Sequence, residues 1–526
     1  MMTTEDQRLE QAQSFFRAGK LEEAKALFSD IVVLNAECGV ALQGLGYIAG
    51  KQNQYEQAVL YLTQAQQYLP SSLELFLHLS YLCKLAGRDA ESLTWIDQGL
   101  SLVPQDYEAL SFRTGILLTL GRYDEALIHL RWIIKIYPQD AQLYFQLGQV
   151  CGVMGCLEDE ISAYRRALDL KPDALQVRVN LGVALRDQFK FAEAHSQFNQ
   201  VLKLDADHVG ARTNRAQLNL LLGKMAQGWK DYEWRWLDGT ASHGIEGSRW
   251  QPPKSVKTYK AVHLLVHAEQ GFGDTLQFSR YVWALKKLFP KIDMTFRVQK
   301  ELVSFLKPNF PLVNIVAEQE ALEAYDAHLP LLSAPFALEK YIQSIPKLDQ
   351  LYYVSQIKQR EWGDRLGVKT KPRIGLAWSG RSTHLNDKNR SISLHQFSNL
   401  LSEDFDFYSL QKETRAEDLK VLTRESRLKS FSDEIVDFSD TAALCQHMDL
   451  VISVDTSVAH LAASMGRPTW VLLPHMPDWR WQLERMDTDW YESVRLFRQN
   501  AADGWAEVIE RMTQALRQFI QASSQK

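Results

Sequence analysis

Prolines recur at Pro70, Pro104, Pro138 and Pro172, each 34 residues after the last, and Gly87, Gly121 and Gly155 keep the same spacing. A fixed period constrains folding more than any local motif. Each period is one helix–turn–helix unit that cannot bury its apolar face alone, so neighbours must stack. Ala58, Ala126 and Ala194 fall where the second helix of a unit packs on the first, and Leu45-Gly46, Leu147-Gly148 and Leu181-Gly182 mark first helices. About seven units are expected, from roughly 5–38 to 209–242, with atypical ends.

Thirty-four is the period of tetratricopeptide repeats. Residues 1–242 are therefore predicted to form an α-solenoid whose concave face holds an extended segment of a partner protein; an array used only for docking or dimerisation fits the same pattern. The last unit ends in Gly228-Trp229-Lys230-Asp231-Tyr232-Glu233-Trp234-Arg235-Trp236. Aromatics at helical spacing are read as a packed joint to the next domain. A linker over 243–258 leads, through Trp250-Gln251-Pro252-Pro253, into a region of different pattern.

That region alternates strands and helices, which argues for parallel, doubly wound sheets. Strands are predicted at 261–266, 292–297, 312–316 and 327–332 in a first lobe (259–348), and at 373–378, 405–410, 450–454 and 468–473 in a second (349–526). In such sheets ligands bind outside the carboxyl ends of the strands. The second-lobe strands end at Trp378-Ser379-Gly380-Arg381, at Gln411, at Asp455-Thr456-Ser457 and at Pro474-His475.

The Asp455 end is the most informative. An apolar, β-branched strand turns into a helix with Asp/Thr/Ser at its start. Free N–H groups there favour an anion, usually a phosphate. His460, four residues after Thr456, lies on the same helix face; an ordinary N-cap with a satisfied histidine reads the same way. Between Arg381 and Arg390 the chain carries Arg381, His384, Lys388 and Arg390 against one acid, Asp387. Lys388 or Arg390 can pair with a phosphate oxygen, or the segment is a solvated loop. Trp378 or Trp479 either stacks on a base or belongs to the core.

In the first lobe, the 261–266 strand leads into His267-Ala268-Glu269-Gln270-Gly271-Phe272-Gly273-Asp274 and then a helix. The third position of a dinucleotide fingerprint is Leu276, so the loop is not one. Gly271 and Gly273 allow a ligand close to the backbone. Asp274 stands at a helix N-terminus, which favours a carboxylate by about 0.3–1 kcal/mol; a general base or a plain N-cap both fit. His267 and Glu269 are alternative bases.

In combination these stretches resemble bacterial tetratricopeptide-repeat glycosyltransferases. The Asp455-Thr456-Ser457-x-x-His460 pattern is similar to the donor-site motif of heptosyltransferases, with Ser457 where that motif usually has glycine, and Gly273-Asp274 to their first-lobe loop. Gly228-Trp229…Tyr232-Glu233-Trp234-Arg235, His267-Ala268-Glu269-Gln270-Gly271, Lys388-Asn389-Arg390-Ser391 and Pro477-Asp478-Trp479-Arg480-Trp481 extend the resemblance over nearly the whole chain. It implies a two-lobed GT-B, Rossmann-type region behind the solenoid, an α + α/β fold. It also implies inverting transfer of a sugar from a nucleotide donor to a protein acceptor, flagellin among such acceptors. Trp378, Ser379, Gly380, Lys388, Arg390, Gln411, Asp455, Thr456, Ser457 and His460 would then bind the donor. Gln270, Gly271 and Gly273 would form the acceptor-side loop, with Asp274, His267 or Glu269 catalytic. The nucleotide sugar would serve as co-substrate, with no metal or other cofactor.

At 526 residues and 46% hydrophobic, the chain can bury several cores, and its net charge of −5 argues against nucleic-acid partners. Five cysteines suggest no disulfide framework; Cys83 and Cys151 occupy equivalent core positions of the repeats. Neither a signal peptide nor a membrane span is evident, so the cytoplasm is expected. Two other functions fit the pattern: a repeat scaffold with an inactive sugar-nucleotide fold, and a transferase acting on lipopolysaccharide or another glycan.

Overall fold

A computed structural model describes residues 4–237, 244–257, 259–346, 350–383, 386–500 and 504–523. His384 lies outside the described residues. The chain forms two compact units, Met1–Val201 and Leu202–Lys526.

The first unit is the helical solenoid. Helices pair as the period requires, for example Gly39–Lys51 with Tyr55–Tyr68 and Ala141–Val153 with Leu157–Leu170. Ala58, Ala126 and Ala194 are fully buried, as are Cys83 and Cys151. The Leu-Gly pairs have a packing reason. A Cβ at Gly148 would lie 2.3 Å from the Tyr164 ring, and one at Gly182 2.5 Å from Phe198. The hairpin turns repeat a single backbone feature: residues 19, 53, 87, 121, 155, 189 and 223, each 34 apart, all have positive φ. Glycine takes this conformation without steric cost. Asn53 (φ 59°) and Phe189 (φ 60°) adopt it without that freedom.

Glu160 is buried on the Leu157–Leu170 helix against Gly152, where a Cβ would come within 2.7 Å of its Oε1. Burial first, and then the Asp187 charge, push its carboxyl up from 4.5 to about 7. The folded form holds this proton more tightly than the unfolded chain. Its stabilising contribution is therefore complete below about pH 4.5 and lost as pH rises through about 7. Glu160→Gln cannot ionise, so it should melt several degrees above the parent at pH 8, with the gap closing towards pH 4.5. Thermal melts across that range check this; a gap independent of pH would contradict it.

The second unit opens with a helical hairpin, Val209–Leu221 and Met225–Tyr232, continued by a 3-10 turn over Glu233–Leu237. Two sheets follow. The first contains β1 (His263–His267), β2 (Asp293–Val298), β3 (Asn314–Ala317) and β4 (Ala327–Pro330), in the order β3-β2-β1-β4. The second contains β5 (Arg373–Ala377), β6 (Asp406–Ser409), β7 (Leu428–Ser430), β8 (Leu450–Val454), β9 (Thr469–Leu473) and β10 (Val494–Arg498), in the order β10-β9-β8-β5-β6-β7. All pairings between these strands are parallel; Leu376 lies opposite Ile452, and Ser453 opposite Val471.

Every strand read from the sequence is present, with ends shifted by at most two residues. β7 and β10 were not anticipated. β7 has only three residues, and β10 mixes Arg495 and Arg498 into its apolar run, so neither has the continuous pattern of a buried strand. The second sheet's core joins Ile374, Leu376, Phe407, Leu450 and Ile452 to Val508, Met512 and Leu516 of the Trp505–Ser523 helix. Among the described residues, no helix is long and apolar enough to cross a membrane.

Candidate functional site

The second sheet reverses its strand order between β5 and β8. Loops leaving these two strands diverge, and the crevice between them is where such sheets bind ligands.

On the β5 side, Gln411 shapes the loop. Its Oε1 accepts from the Trp378 and Ser379 amides at 3.0 and 2.9 Å, and its Nε2 donates to Ser379 Oγ at 3.0 Å. The Gly380 amide donates to Ser391 Oγ at 3.0 Å. Gly380 also makes room for Arg390: a Cβ there would sit 2.5 Å from Nη2. Arg390 Nη1 reaches across to donate to the Asp455 carbonyl at 3.0 Å. Buried Asp387 pairs with Arg415, accepts from Ser391 Oγ at 2.8 Å and lies 3.7 Å from Arg390 Nε.

On the β8 side, the helix Ser457–Ser464 begins at Thr456, whose backbone is extended (φ −141°) and whose side chain makes no capping bond. The hydroxyls of Thr456 and Ser453 are 3.1 Å apart. His460 faces back along this helix, with Nε2 3.7 Å from the Asp455 carboxylate. Its ring stacks on Trp481 at 5.3 Å, and Nδ1 lies 2.9 Å from the Tyr491 hydroxyl. Burial pushes the Asp455 carboxyl up, but His460, Arg390 and Arg480 outweigh it and hold the group below the usual carboxylate range.

The first lobe meets this edge through the start of the Phe272–Leu288 helix, which packs on Ser457–Ser464. Gly273 makes the approach possible, since a Cβ there would stand 2.9 Å from His460 Cδ2. Asp274 Oδ2 caps its own helix by accepting from the Gly271 amide at 3.0 Å, and Oδ1 bonds Arg480 of the second lobe. Arg480 also donates to Gln277 Oε1 at 2.9 Å and Asp478 Oδ1 at 2.8 Å, over the Trp479 ring at 4.2 Å. Burial works against the Arg480 charge; Asp274 and Asp478 hold it well above the usual arginine range.

The fold thus gathers Gly273, Asp274, Arg390, Asp455, Thr456, Ser457 and His460, with Ser379, Gly380 and Gln411 shaping one wall. Other candidates are placed elsewhere. Trp378 is fully buried, and its indole donates to Asp418 at 2.9 Å, so it is core and not a stacking surface. Trp479 is also buried, edge-on to Trp229 at 5.3 Å. His267 lies inside the first lobe, 3.2 Å from His328. Glu269 is sequestered by Arg235 and the Leu332 amide. Gln270 donates to the Tyr232 hydroxyl at 3.0 Å, turned towards the helical hairpin. Lys388 is exposed on the same short helix as Arg390. Sequence reasoning missed Arg480, Arg415, Trp481 and Tyr491 as site residues. The run Pro477-Asp478-Trp479-Arg480-Trp481 carried a signal for two of them, but not their partners. Among the described residues, no group of three or more His, Cys, Asp or Glu could hold a metal ion.

Comparison with known proteins agrees with this layout. Residues 434–473, which contain β8, the Asp455–His460 segment and β9, match glycosyltransferase family 9 (heptosyltransferase). Residues 9–67, 115–174 and 179–228 match the tetratricopeptide repeat. The chain joins tetratricopeptide repeats to a glycosyltransferase segment. Protein FlbA of Caulobacter vibrioides is 24% identical over 450 residues, 79% of this chain and 74% of that protein. The human protein O-mannosyl-transferase TMTC1 is 24% identical over 184 residues, 34% of this chain and 21% of that protein. MamA from Desulfovibrio magneticus is 22% identical over 32% of this chain and 96% of its own, with a TM-score of 0.30. The family and sequence matches support a glycosyltransferase carrying tetratricopeptide repeats, and the β8 side of the crevice, Asp455–His460, lies in the stretch that matches family 9.

Proposed function

We propose that this glycosyltransferase, of the GT-B type, moves a sugar from a nucleotide-sugar donor to serine or threonine hydroxyls of a protein, acting in the cytoplasm. The observation that carries this reading is the convergence at the β5/β8 crevice. The start of the Ser457–Ser464 helix, Arg390 and the Asp455–His460 pair face Gly273 and Asp274 of the other lobe.

In the proposed step the acceptor oxygen attacks the anomeric carbon, and the bond from that carbon to the phosphate oxygen breaks. The attack comes from the face opposite the leaving group, so configuration inverts. The leaving nucleotide carries the electron pair, and its charge is met by the helix N–H groups and Arg390, with no ion required. The hydroxyl proton passes to Asp274, the acceptor taking the place that Arg480 now holds on Oδ1. The repeats select the acceptor, for which flagellin is one candidate.

Intact-mass measurement of candidate acceptors from cells with and without the protein tests this. A mass increment of one or more sugar residues that disappears with the gene is expected. In vitro, transfer should survive EDTA. Unmodified proteins alongside a changed lipopolysaccharide would move the acceptor to a glycan, and activity restored to EDTA-treated enzyme only by Mg²⁺ or Mn²⁺ would overturn metal independence.

A further inference from the structure

Glu269 reads as a candidate base in the sequence, yet its carboxylate is wholly committed elsewhere. Arg235 Nε and Nη2 each donate to it at 2.9 Å, and the Leu332 amide donates to Oε1 at 2.8 Å. The side chains of Arg235 and Glu269 are only 8% and 2% exposed. The remaining Arg235 donors are also used, on the Tyr232 carbonyl at 2.9 Å, Glu233 at 3.2 Å and Ser333 Oγ at 2.9 Å. The guanidinium lies between the Tyr232 and Trp236 rings, at 4.6 and 4.8 Å. Burial opposes its charge, and Glu269 restores it, so the group is held above its ordinary value.

A pair this deep contributes little net stability, because desolvation offsets its attraction. What it supplies is geometry. Glu269 lies five residues before Asp274, and only Gln270 separates it from Gly271, the N-cap of the Phe272–Leu288 helix whose first turn carries Gly273 and Asp274. Successive residues tie the loop down: the Ala268 amide donates to the Arg297 carbonyl at 2.9 Å, Glu269 meets Arg235, and Gln270 bonds the Tyr232 hydroxyl while its carbonyl accepts from Gln299 at 2.7 Å. Two of these ties, at Glu269 and Gln270, come from the end of the helical hairpin, Tyr232 and Arg235.

We infer that Arg235, through Glu269, is a positioning residue that holds the start of the Phe272–Leu288 helix, Gly271–Asp274, at its working distance from His460. The inference rests on the transferase reading for its catalytic consequence, but not for its structural one. A displacement of about 1 Å in such a site costs on the order of a hundredfold in rate.

The test compares the full-length enzyme with Arg235→Met, Glu269→Leu and the double variant. Replacing both members of a buried pair with apolar side chains generally restores stability, whereas removing one does not. The double variant should therefore recover the parental Tm, yet its kcat should stay at least about tenfold down with donor KM little changed. Amides of Gly271–Asp274 should exchange about tenfold faster in it. Parental kcat and parental exchange in the restored double variant would overturn the inference. If the parent shows no turnover with any nucleotide sugar, the transferase reading fails, and exchange alone decides the positioning claim. Should the double variant not fold, Glu269→Gln, which keeps the side-chain shape but removes the charge, carries the same exchange measurement: faster loop exchange supports the inference and unchanged exchange overturns it.

Discussion

Asp274→Asn is expected to lower turnover by on the order of 10²–10⁴, the range for loss of a positioned general base, with donor affinity little changed. The substitution keeps the side-chain shape and can still cap the Gly271 amide through Oδ1, so helix and loop should persist. It also removes the ion pair to Arg480 between the lobes. Arg480→Gln separates the two roles, because it removes that pair and leaves the carboxylate in place. If Asp274 takes the acceptor proton, Asp274→Asn collapses in single-turnover assays and Arg480→Gln retains much of its rate. Equal losses in both would make Asp274 a latch between the lobes, and near-normal turnover in Asp274→Asn would dismiss it as the base.

Arg390→Ala should weaken donor binding by roughly 10–100-fold, the loss expected for one charge-assisted contact to a phosphate. Asp387 would keep Arg415 as its partner, so the short Asp387–Arg390 helix should stay in place. Gly380→Ala gives an orthogonal check. Its methyl would sit 2.5 Å from Arg390 Nη2 and displace the guanidinium, so part of the affinity should go with the arginine still present. His460→Ala should also weaken binding, since it removes the ring facing Asp455. Calorimetry with a nucleotide sugar that binds the parent measures all three. Unchanged affinity in Arg390→Ala and His460→Ala together would place the donor elsewhere.

The repeat array was legible because its information is local and periodic. Each turn at positions 19 to 223 needs one left-handed residue, and most helix pairs place a small residue such as Ala58, Ala126 or Ala194 at the crossing, with Glu160 the exception, so composition at a fixed spacing reports the structure. The strand-to-helix turn at Asp455 was legible for the same reason: a buried five-residue strand, apolar but for Ser453, followed by Asp/Thr/Ser describes a local event. Gathering these polar strand ends at one edge of the sheet needed only alternation and the parallel rule.

Orientation and partnership lay outside that reach. Trp378 at a strand end looks the same whether it faces a crevice or a core, and Asp418, 40 residues on, decides for the core. Glu269 looks as available as Asp274 until Arg235 is seen to enclose it, from 34 residues earlier in the chain. Arg480 stood in a quoted motif, but its bond to Asp274 spans 206 positions. By itself the sequence determined the elements, the repeat period and the strand ends that bear polar groups, because backbone propensity and side-chain periodicity act within one or two turns. Only the tertiary structure decided which carboxylates are spent on arginines and which border the crevice, because that depends on which charges packing brings within bonding distance after both have left water.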